Sequence, residues 1–276
     1  MVFTVSLARA APGLKLTATI FPLADIAKQV GGEAVKTEFI LPPGADPHIF
    51  EPTPRQLVNI HETDILLKVG FGFESWLNKL LQSGKPSITL VAGGEASLLE
   101  SGYQGDAGNP HVWLDPLVVV DLVKRLERAF ISLDQGHSRE YQDRAQNYIG
   151  RLLHTDRKLK QTFTGLNSRP FIVFHSAWFY WFRRYSLAPA AVVEEFPGQP
   201  VSSKKLIELV KVIRKKKIKT IFVNIQRSPK MAGVLAAETG AGLSYLDPQG
   251  GPGIKGRSSY LELLNYNGRI FREGLR

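Results

Sequence analysis

The sequence of 276 residues contains no cysteine. Within this sequence, the absence excludes disulfide bonds, thiolate metal ligands and cysteine nucleophiles, and we expect no lipid anchor on an N-terminal cysteine. Any transition-metal site must therefore use His, Asp or Glu, a donor set that suits zinc, manganese or iron.

Long apolar runs are also missing, since no run approaches the ~20 residues that a membrane-spanning helix needs. The apolar fraction of 43% is that of an ordinary globular protein. The length is sufficient for one large domain or two lobes of common size.

Acidic residues are too few to balance the basic ones, which leaves a net charge of +10. Nucleic acid is one partner that such a charge suits. However, the densest basic run, residues 211–219 (KVIRKKKIK), fits the C-terminal end of an amphipathic helix. We see no zinc-finger or RNA-binding signature, and we predict no nucleic acid partner.

The first residues, MVFTVSLARAAPG, resemble the end of a secretory signal, with an A-x-A cleavage pattern at residues 8–10. We expect residues 1–11 to be a residual signal peptide or a cloning remnant. The mature protein is then expected to be periplasmic or otherwise extracytoplasmic, and soluble.

Strand-like and helix-like segments alternate in two series, which predicts an α/β protein with parallel sheets covered by helices. The predicted strands are 14–20, 35–41, 64–69 and 87–91, then 171–174, 190–195, 218–224 and 243–246. The predicted helices are 21–30, 54–61, 74–81 and 117–132, then 176–185, 202–217, 228–239 and 258–271.

A long helix over residues 137–163 separates the two series, with Ser138 as its predicted N-cap. At 1.5 Å per residue, its roughly 26 residues form a rod of about 40 Å, a length suited to joining two lobes. We therefore predict an N-terminal lobe over 12–136, a linking helix over 137–165 and a C-terminal lobe over 166–276.

The stretch LPPGADPHIFEPTPRQ, residues 41–56, presents His48 from a stiff, proline-rich loop directly after a predicted strand. Open α/β sheets bind their ligands at such strand ends. Three further residues occupy equivalent places near strand ends or in loops before helices: His111, His175 and Asp247.

Two of these four residues come from each series, so lobes that face each other across a cleft would bring them together. Three imidazoles and one carboxylate make a complete ligand set for a divalent cation, and binding would weaken as pH falls through the histidine range. Each residue also has a simpler explanation. His48 and His111 fit turns, His175 fits a helix start and Asp247 an Asp-Pro turn, while Asp115 fits either a helix cap or a carboxylate near the site.

The sequence resembles the metal-binding subunits of zinc and manganese ABC importers, the cluster A-I (cluster 9) solute-binding family, over about residues 14–266. The matching segments are GADPHIFEPTP, NPHVWLDP, VFHSAWFYWFRRY, EEFPGQPVSSKKLIELV, IKTIFVN and ETGAGLSYLDP. The resemblance implies two Rossmann-like lobes joined by one rigid helix, with the metal in the cleft. It also implies that the family's ligand positions fall on His48, His111, His175 and Asp247.

Three departures from the family pattern bear on the metal. Residues 97–109 are short and contain no histidine, where zinc-specific members often carry a His-rich loop. Asn224 stands where a Glu is common, so the charge around the ligands differs. His175 stands where manganese-type members often have Glu, and three imidazoles favour zinc over manganese or iron.

The resemblance implies capture of zinc, or alternatively manganese, and its delivery to a membrane permease by a monomer that is not an enzyme. One alternative is a zinc-dependent hydrolase with an open coordination position and Glu51, Glu194 or Glu195 as base. Another is a binding protein of the same architecture for a siderophore, haem or corrinoid, with Trp113, Trp178 and Trp181 lining its cleft.

Overall fold

The computed structural model describes residues 13–77, 86–94, 109–166, 169–194 and 201–276. Its first sheet has four parallel strands in the order β2-β1-β3-β4. The strands are β1 (Leu14–Ala18), β2 (Val35–Phe39), β3 (Ile65–Lys68) and β4 (Ile88–Val91).

The second sheet repeats this topology with the order β6-β5-β7-β8, again all parallel. Its strands are β5 (Ile172–His175), β6 (Ala191–Glu194), β7 (Thr220–Asn224) and β8 (Gly242–Leu246). In both sheets the strand order reverses beside the first strand, which creates a crevice at the carboxyl ends of the strands.

Eight α-helices connect and cover the strands of the described residues. They are α1 (Phe21–Gly31), α2 (Pro54–His61), α3 (Pro116–Leu133), α4 (Ser138–Phe163), α5 (Phe179–Tyr185), α6 (Ser203–Lys216), α7 (Lys230–Thr239) and α8 (Tyr260–Gly274). Short 3₁₀ turns occur at Gly32–Ala34, Ser75–Leu77, Val112–Leu114, Gln135–His137 and Ser176–Trp178.

Four of the eight described helices begin after an N-cap residue whose side chain accepts a backbone hydrogen bond. Thr53 forms a capping box with Gln56 at the start of α2. Asp115 accepts a hydrogen bond from the Leu117 amide at 2.9 Å, so its role as a helix cap is confirmed. The predicted cap at Ser138 is wrong, because the preceding 3₁₀ turn leads directly into α4 and Ser138 already has helical dihedrals.

Helix α4 contains 26 residues and forms the predicted rod between the two sheets. It packs against α1 and α3 of the first half of the chain, which precedes α4, and against α5 and α8 of the second half, which follows α4. Its buried stripe includes Tyr141, Tyr148 and Leu159, which belong to a hydrophobic core that continues through both halves. A shared core of this kind opposes wide hinge motion, since opening would expose apolar surface.

Two predicted segments differ from the structure or lie outside it. The predicted helix over 74–81 is a short 3₁₀ turn at Ser75–Leu77 as far as the structure describes it, and residues 78–85 lie outside the described residues. Of the short segment without histidine, residues 97–108 also lie outside them. The division into lobes at 136/137 and 165/166 stays a prediction.

Candidate metal centre

His48 lies in the loop between β2 and α2. The backbone N–H of His48 donates to Asp46 Oδ1 at 3.0 Å, a short-range bond that fixes the loop around Pro47. The Nε2 atom of His48 is buried and has no hydrogen-bond partner among the described residues. The loop thus presents one buried imidazole nitrogen that is not engaged by a hydrogen bond from the described residues.

His111 lies just before the 3₁₀ turn that leads into α3. Asn109 Oδ1 accepts hydrogen bonds from both the backbone N–H and the Nδ1 of His111, each at 3.0 Å. Because an amide oxygen only accepts, Nδ1 carries the proton and Nε2 keeps its lone pair. The Nδ2 of Asn109 donates to the Ser176 carbonyl at 2.9 Å, so one side chain orients His111 and contacts the second half of the chain.

His175 is the last residue of β5 and lies opposite Glu194 of β6 in the parallel register. Both of its ring nitrogens are buried and lack a hydrogen-bond partner among the described residues. The Oε2 atom of Glu194 is 4.0 Å from His175 Nδ1. Buried polar atoms without partners are costly, so a ligand that binds them would stabilise the fold.

The three histidines converge from three separate segments. One potential ligand atom from each residue can be chosen so that all three lie within 4.8 Å of one another. The ring centroids are 5.4 Å to 5.7 Å apart. The strand-end argument predicted two ligands from each half of the chain, and the cluster contains two from the first half and one from the second.

Asp247, the fourth predicted ligand, follows β8 directly but does not belong to this cluster. Its Oδ1 accepts from the backbone amides of Gln249 and Gly250 and from Gln226 Nε2, at 2.7–3.0 Å. Its Oδ2 accepts from Arg257 Nη1 at 2.7 Å. The side chain is 1% exposed, so these four donors compensate a fully buried carboxylate.

The electrostatic environment keeps the imidazoles neutral. Burial lowers the pKa of His48 from 6.5 to about 4, with the Arg227 charge adding to this effect and Asp46 opposing it. Burial also lowers the pKa of His111 and of His175 well below the usual value, and Arg227 contributes to both shifts. Neutral imidazole is the form that binds a metal, so proton competition begins at a lower pH than ordinary histidines would give.

An aromatic wall excludes water from one side of the cluster. Phe73 packs edge-on against His48 and His111, with centroids 5.6 Å and 5.9 Å apart, and Trp113 lies beside His111. Glu74, next in the chain, is buried and accepts from Thr19 Oγ1 and from two backbone amides after β3, which holds this turn in place. The wall explains why desolvation is the largest cause of the histidine pKa shifts.

The space enclosed by the cluster is small, about 10 Å³. This volume is that of a single water-sized sphere, so a haem, corrinoid or siderophore does not fit there. Trp113, Trp178 and Trp181 are each at most 1% exposed and pack in the core. Of the acids suggested as a hydrolytic base, Glu51 is exposed, Glu194 lies near His175, and Glu195 lies outside the described residues.

Sequence reasoning missed two residues that shape the site, Asn109 and Arg227. Asn109 stands two residues before the candidate ligand His111. This spacing was the available signal, because an Asn or Asp side chain often accepts a hydrogen bond from the backbone N–H two residues later. Arg227 lines the cavity together with the histidines. No local pattern marked it, because the carboxylates it contacts come from distant parts of the chain. Asn224, which stands where a Glu is common in the family, accepts a hydrogen bond from Trp178 Nε1 at 2.8 Å.

The arrangement suits a divalent cation of intermediate softness. Three neutral nitrogen donors around one small cavity can supply three of the four ligands of a tetrahedral metal site. The ring nitrogens of His48 and His175 that lack hydrogen-bond partners among the described residues fit such an ion.

The family described as zinc-uptake complex component A, periplasmic (ZnuA), matches residues 16–274. This chain belongs to that family. ZnuA-family membership confirms the predicted resemblance and the function of an extracytoplasmic metal-binding component of ABC uptake systems. The two parallel four-stranded sheets and the long central helix confirm the predicted fold class. Members of this family are the periplasmic components of uptake complexes, and such a component implies a permease as its partner.

Two curated relatives and one solved structure illustrate the similarity to ZnuA-family proteins. A putative metal-binding protein of Treponema pallidum is 27% identical over 94% of this chain and 86% of its own length. The zinc-binding lipoprotein AdcA of Streptococcus pneumoniae is 28% identical over 85% of this chain, which spans about half (50%) of the AdcA length. A crystal structure of a ZnuA deletion mutant with zinc bound is 27% identical, covers 95% of this chain and 97% of its own, and has a TM-score of 0.83.

None of the helices in the described part of the chain is long and apolar enough to cross a membrane.

Proposed function

We propose that this protein captures a zinc ion between His48, His111 and His175 and delivers it to an ABC permease. The observation that carries the proposal is the convergence of three neutral imidazoles, two of them buried and that of His48 partly buried, whose ligand atoms lie within 4.8 Å of one another. No bond chemistry is part of this role, and we propose that the protein is not an enzyme and acts as a monomer. The relatives named for zinc binding support the same cargo.

Zinc is favoured over manganese because of the donor atoms. Zinc binds imidazole nitrogen in tetrahedral sets, whereas manganese prefers more oxygen ligands. Asp247 is the proposed fourth ligand, and its Oδ2 must exchange the contact with Arg257 for one with the ion. While Arg257 and Gln226 hold the carboxylate, the nitrogen donors dominate and zinc has the advantage.

Capture and release follow from the same geometry. The imidazoles are already neutral, so the ion binds without first displacing protons from them at neutral pH. The continuous core beneath α4 restricts the lobes, so the release step is proposed to move the ligand loops and not to open the whole cleft. Permease docking supplies the free energy for that movement.

Calorimetric titration of chelator-stripped protein with zinc, and separately with manganese, tests the proposal. We expect one-to-one zinc binding that is tighter than manganese binding and is lost in His111→Ala. X-ray absorption at the zinc edge should then count three imidazoles. Tighter manganese binding would reverse the choice of metal, and no specific binding of either ion would reject the site.

A further inference from the structure

Arg227 lies in the turn after β7, and its backbone N–H donates to the Asn224 carbonyl at 3.0 Å. Its side chain is 13% exposed and lines the same cavity as the three histidines. A guanidinium beside a cation site is unexpected, because like charges repel and a binding site gains nothing from the repulsion. Its position therefore requires another explanation.

Two carboxylates from opposite halves of the chain hold this guanidinium. Arg227 Nη1 is 3.0 Å from Asp46 Oδ2, in the loop of the first half, and 3.7 Å from Glu194 Oε1, at the end of β6 in the second half. Both acids are mostly buried, with 11% and 9% exposure. Ion pairs screened from solvent in this way are stronger than exposed ones and cost more to break.

Each carboxylate also reaches a candidate ligand. Asp46 Oδ1 accepts the backbone N–H of His48 at 3.0 Å, so one oxygen of this acid holds the histidine loop while the other contacts Arg227. Glu194 Oε2 is 4.0 Å from His175 Nδ1, on the side of the ring away from its Nε2. The Arg227 guanidinium thus contacts two carboxylates, and each carboxylate lies beside a candidate metal ligand from a different half of the chain.

We propose that Arg227 is a positioning residue that latches the His48 loop onto the second half of the protein and thereby controls how fast the metal exchanges. Arg227, Asp46 and Glu194 form this interlobe latch. While the latch is closed, His48 stays within reach of His175. When it opens, the loop carrying His48 moves away and the ion loses one ligand. The control of exchange rests on the proposed metal site, whereas the structural part of the latch does not.

Hydrogen exchange of the metal-free protein tests the structural part. The amides of residues 41–53 should exchange about tenfold faster in Arg227→Met, since a charge-assisted contact is lost. Asp46→Asn keeps an acceptor for the His48 N–H but weakens the ion pair, and should act in the same direction. Arg227→Lys should restore part of the protection. Arg269→Met, which removes an exposed pair with Glu273, is the matched control and should leave residues 41–53 unchanged.

Unchanged exchange of residues 41–53 in folded Arg227→Met and Asp46→Asn would overturn the latch. So would an equal acceleration in α4, since this would indicate general destabilisation. The kinetic part is tested by zinc dissociation into excess chelator, which should be about tenfold faster in Arg227→Met. Slower dissociation would overturn it and assign Arg227 a purely repulsive role. If the unaltered protein binds no zinc, the proposed function fails, while the exchange result on the metal-free protein still decides the latch.

Discussion

His175 and Asp247 occupy equivalent places in the same sheet, one at the end of β5 and the other just after β8. The fold nevertheless treats them in opposite ways. Both ring nitrogens of His175 lack a hydrogen-bond partner among the described residues, whereas Asp247 accepts from four donors. Position at a strand end therefore does not by itself make a side chain available to a ligand.

The difference follows from the chemistry of the two groups. A buried carboxylate carries a full charge and can accept several hydrogen bonds, so it is stable only when several donors surround it. A buried imidazole can remain neutral, as its lowered pKa here indicates, and so tolerates the lack of partners better. The cluster of three histidines is thus prepared for a cation, while the aspartate is already compensated by Arg257, Gln226 and two backbone amides.

The comparison predicts the largest loss of zinc affinity for removal of a histidine. His111→Ala should raise the Kd for zinc by more than about 100-fold, because changes to the outer partners of a ligand alone typically cost 10–100-fold. Competition titration against a chelator measures this. His154→Ala, on the exposed side of α4, is the matched control and should bind zinc normally. Retained affinity in His111→Ala would contradict the cluster.

Removal of the residue that orients a histidine should have the next largest effect. Asn109→Ala should raise the Kd for zinc by about 10–100-fold, because the Nδ1–H of His111 loses its acceptor. Asn109→Asp keeps an acceptor oxygen at this place and should bind more tightly than Asn109→Ala. The same titration measures both variants, and equal binding by the two would show that the hydrogen bond does not matter.

Asp247 should have a smaller effect than either, because its carboxylate must give up the contact with Arg257 before it can bind the ion. Asp247→Asn should raise the Kd for zinc less than about tenfold, because an amide oxygen can still accept from the backbone and the cation keeps its three nitrogens. A loss as large as that of His111→Ala would instead show that the carboxylate charge contributes as much to zinc binding as an imidazole does.

The variant Arg257→Met tests whether the contact between Arg257 and Asp247 affects the choice of metal. Without the guanidinium, Asp247 Oδ2 is free to coordinate, and the affinity for manganese should increase relative to zinc because manganese prefers oxygen ligands. Parallel titrations with the two ions measure this ratio. No change in the ratio would mean that Arg257 does not determine the choice of metal.

The smallest expected effect is on the stability of the metal-free protein. An unfolded histidine has a pKa near 6.5, whereas that of folded His48 is about 4. As pH falls from about 6.5 towards 4, the unfolded chain binds a proton that the folded protein does not, so the free energy of unfolding decreases. Urea unfolding across this range should show a shallower decrease in His48→Gln. An identical pH dependence in both proteins would contradict the lowered pKa.

Much of the fold could be predicted because the signals are local. Short apolar and β-branched runs between helix-like segments predicted all eight strands to within a few residues, and the apolar stripe with Tyr141 and Tyr148 predicted the long helix. The N-cap of α4 could not be predicted, since Ser138 fits a cap by its type and only the preceding 3₁₀ turn removes it from that position.

The candidate site was predictable in its location and only partly in its chemistry. His48, His111 and His175 were selected by their places in the β-α alternation, and the structure brings them together. Asp247 was selected by the same rule, and its role as a ligand stays a prediction. Asn109 and Arg227 act through contacts that the order of residues does not reveal, such as that between Asp46 and Arg227.

The sequence by itself determined the elements, the parallel topology and which strand ends carry imidazoles, because period, caps and turns act within a few residues of the chain. The tertiary structure alone decided which of those side chains keep a free lone pair. That outcome depends on competing donors, since Asp247 meets the Gln226 amide and the Arg257 guanidinium only after folding, while Arg227 finds acids from both halves. Burial then lowers the pKa of the histidines, and burial is a property of the folded protein.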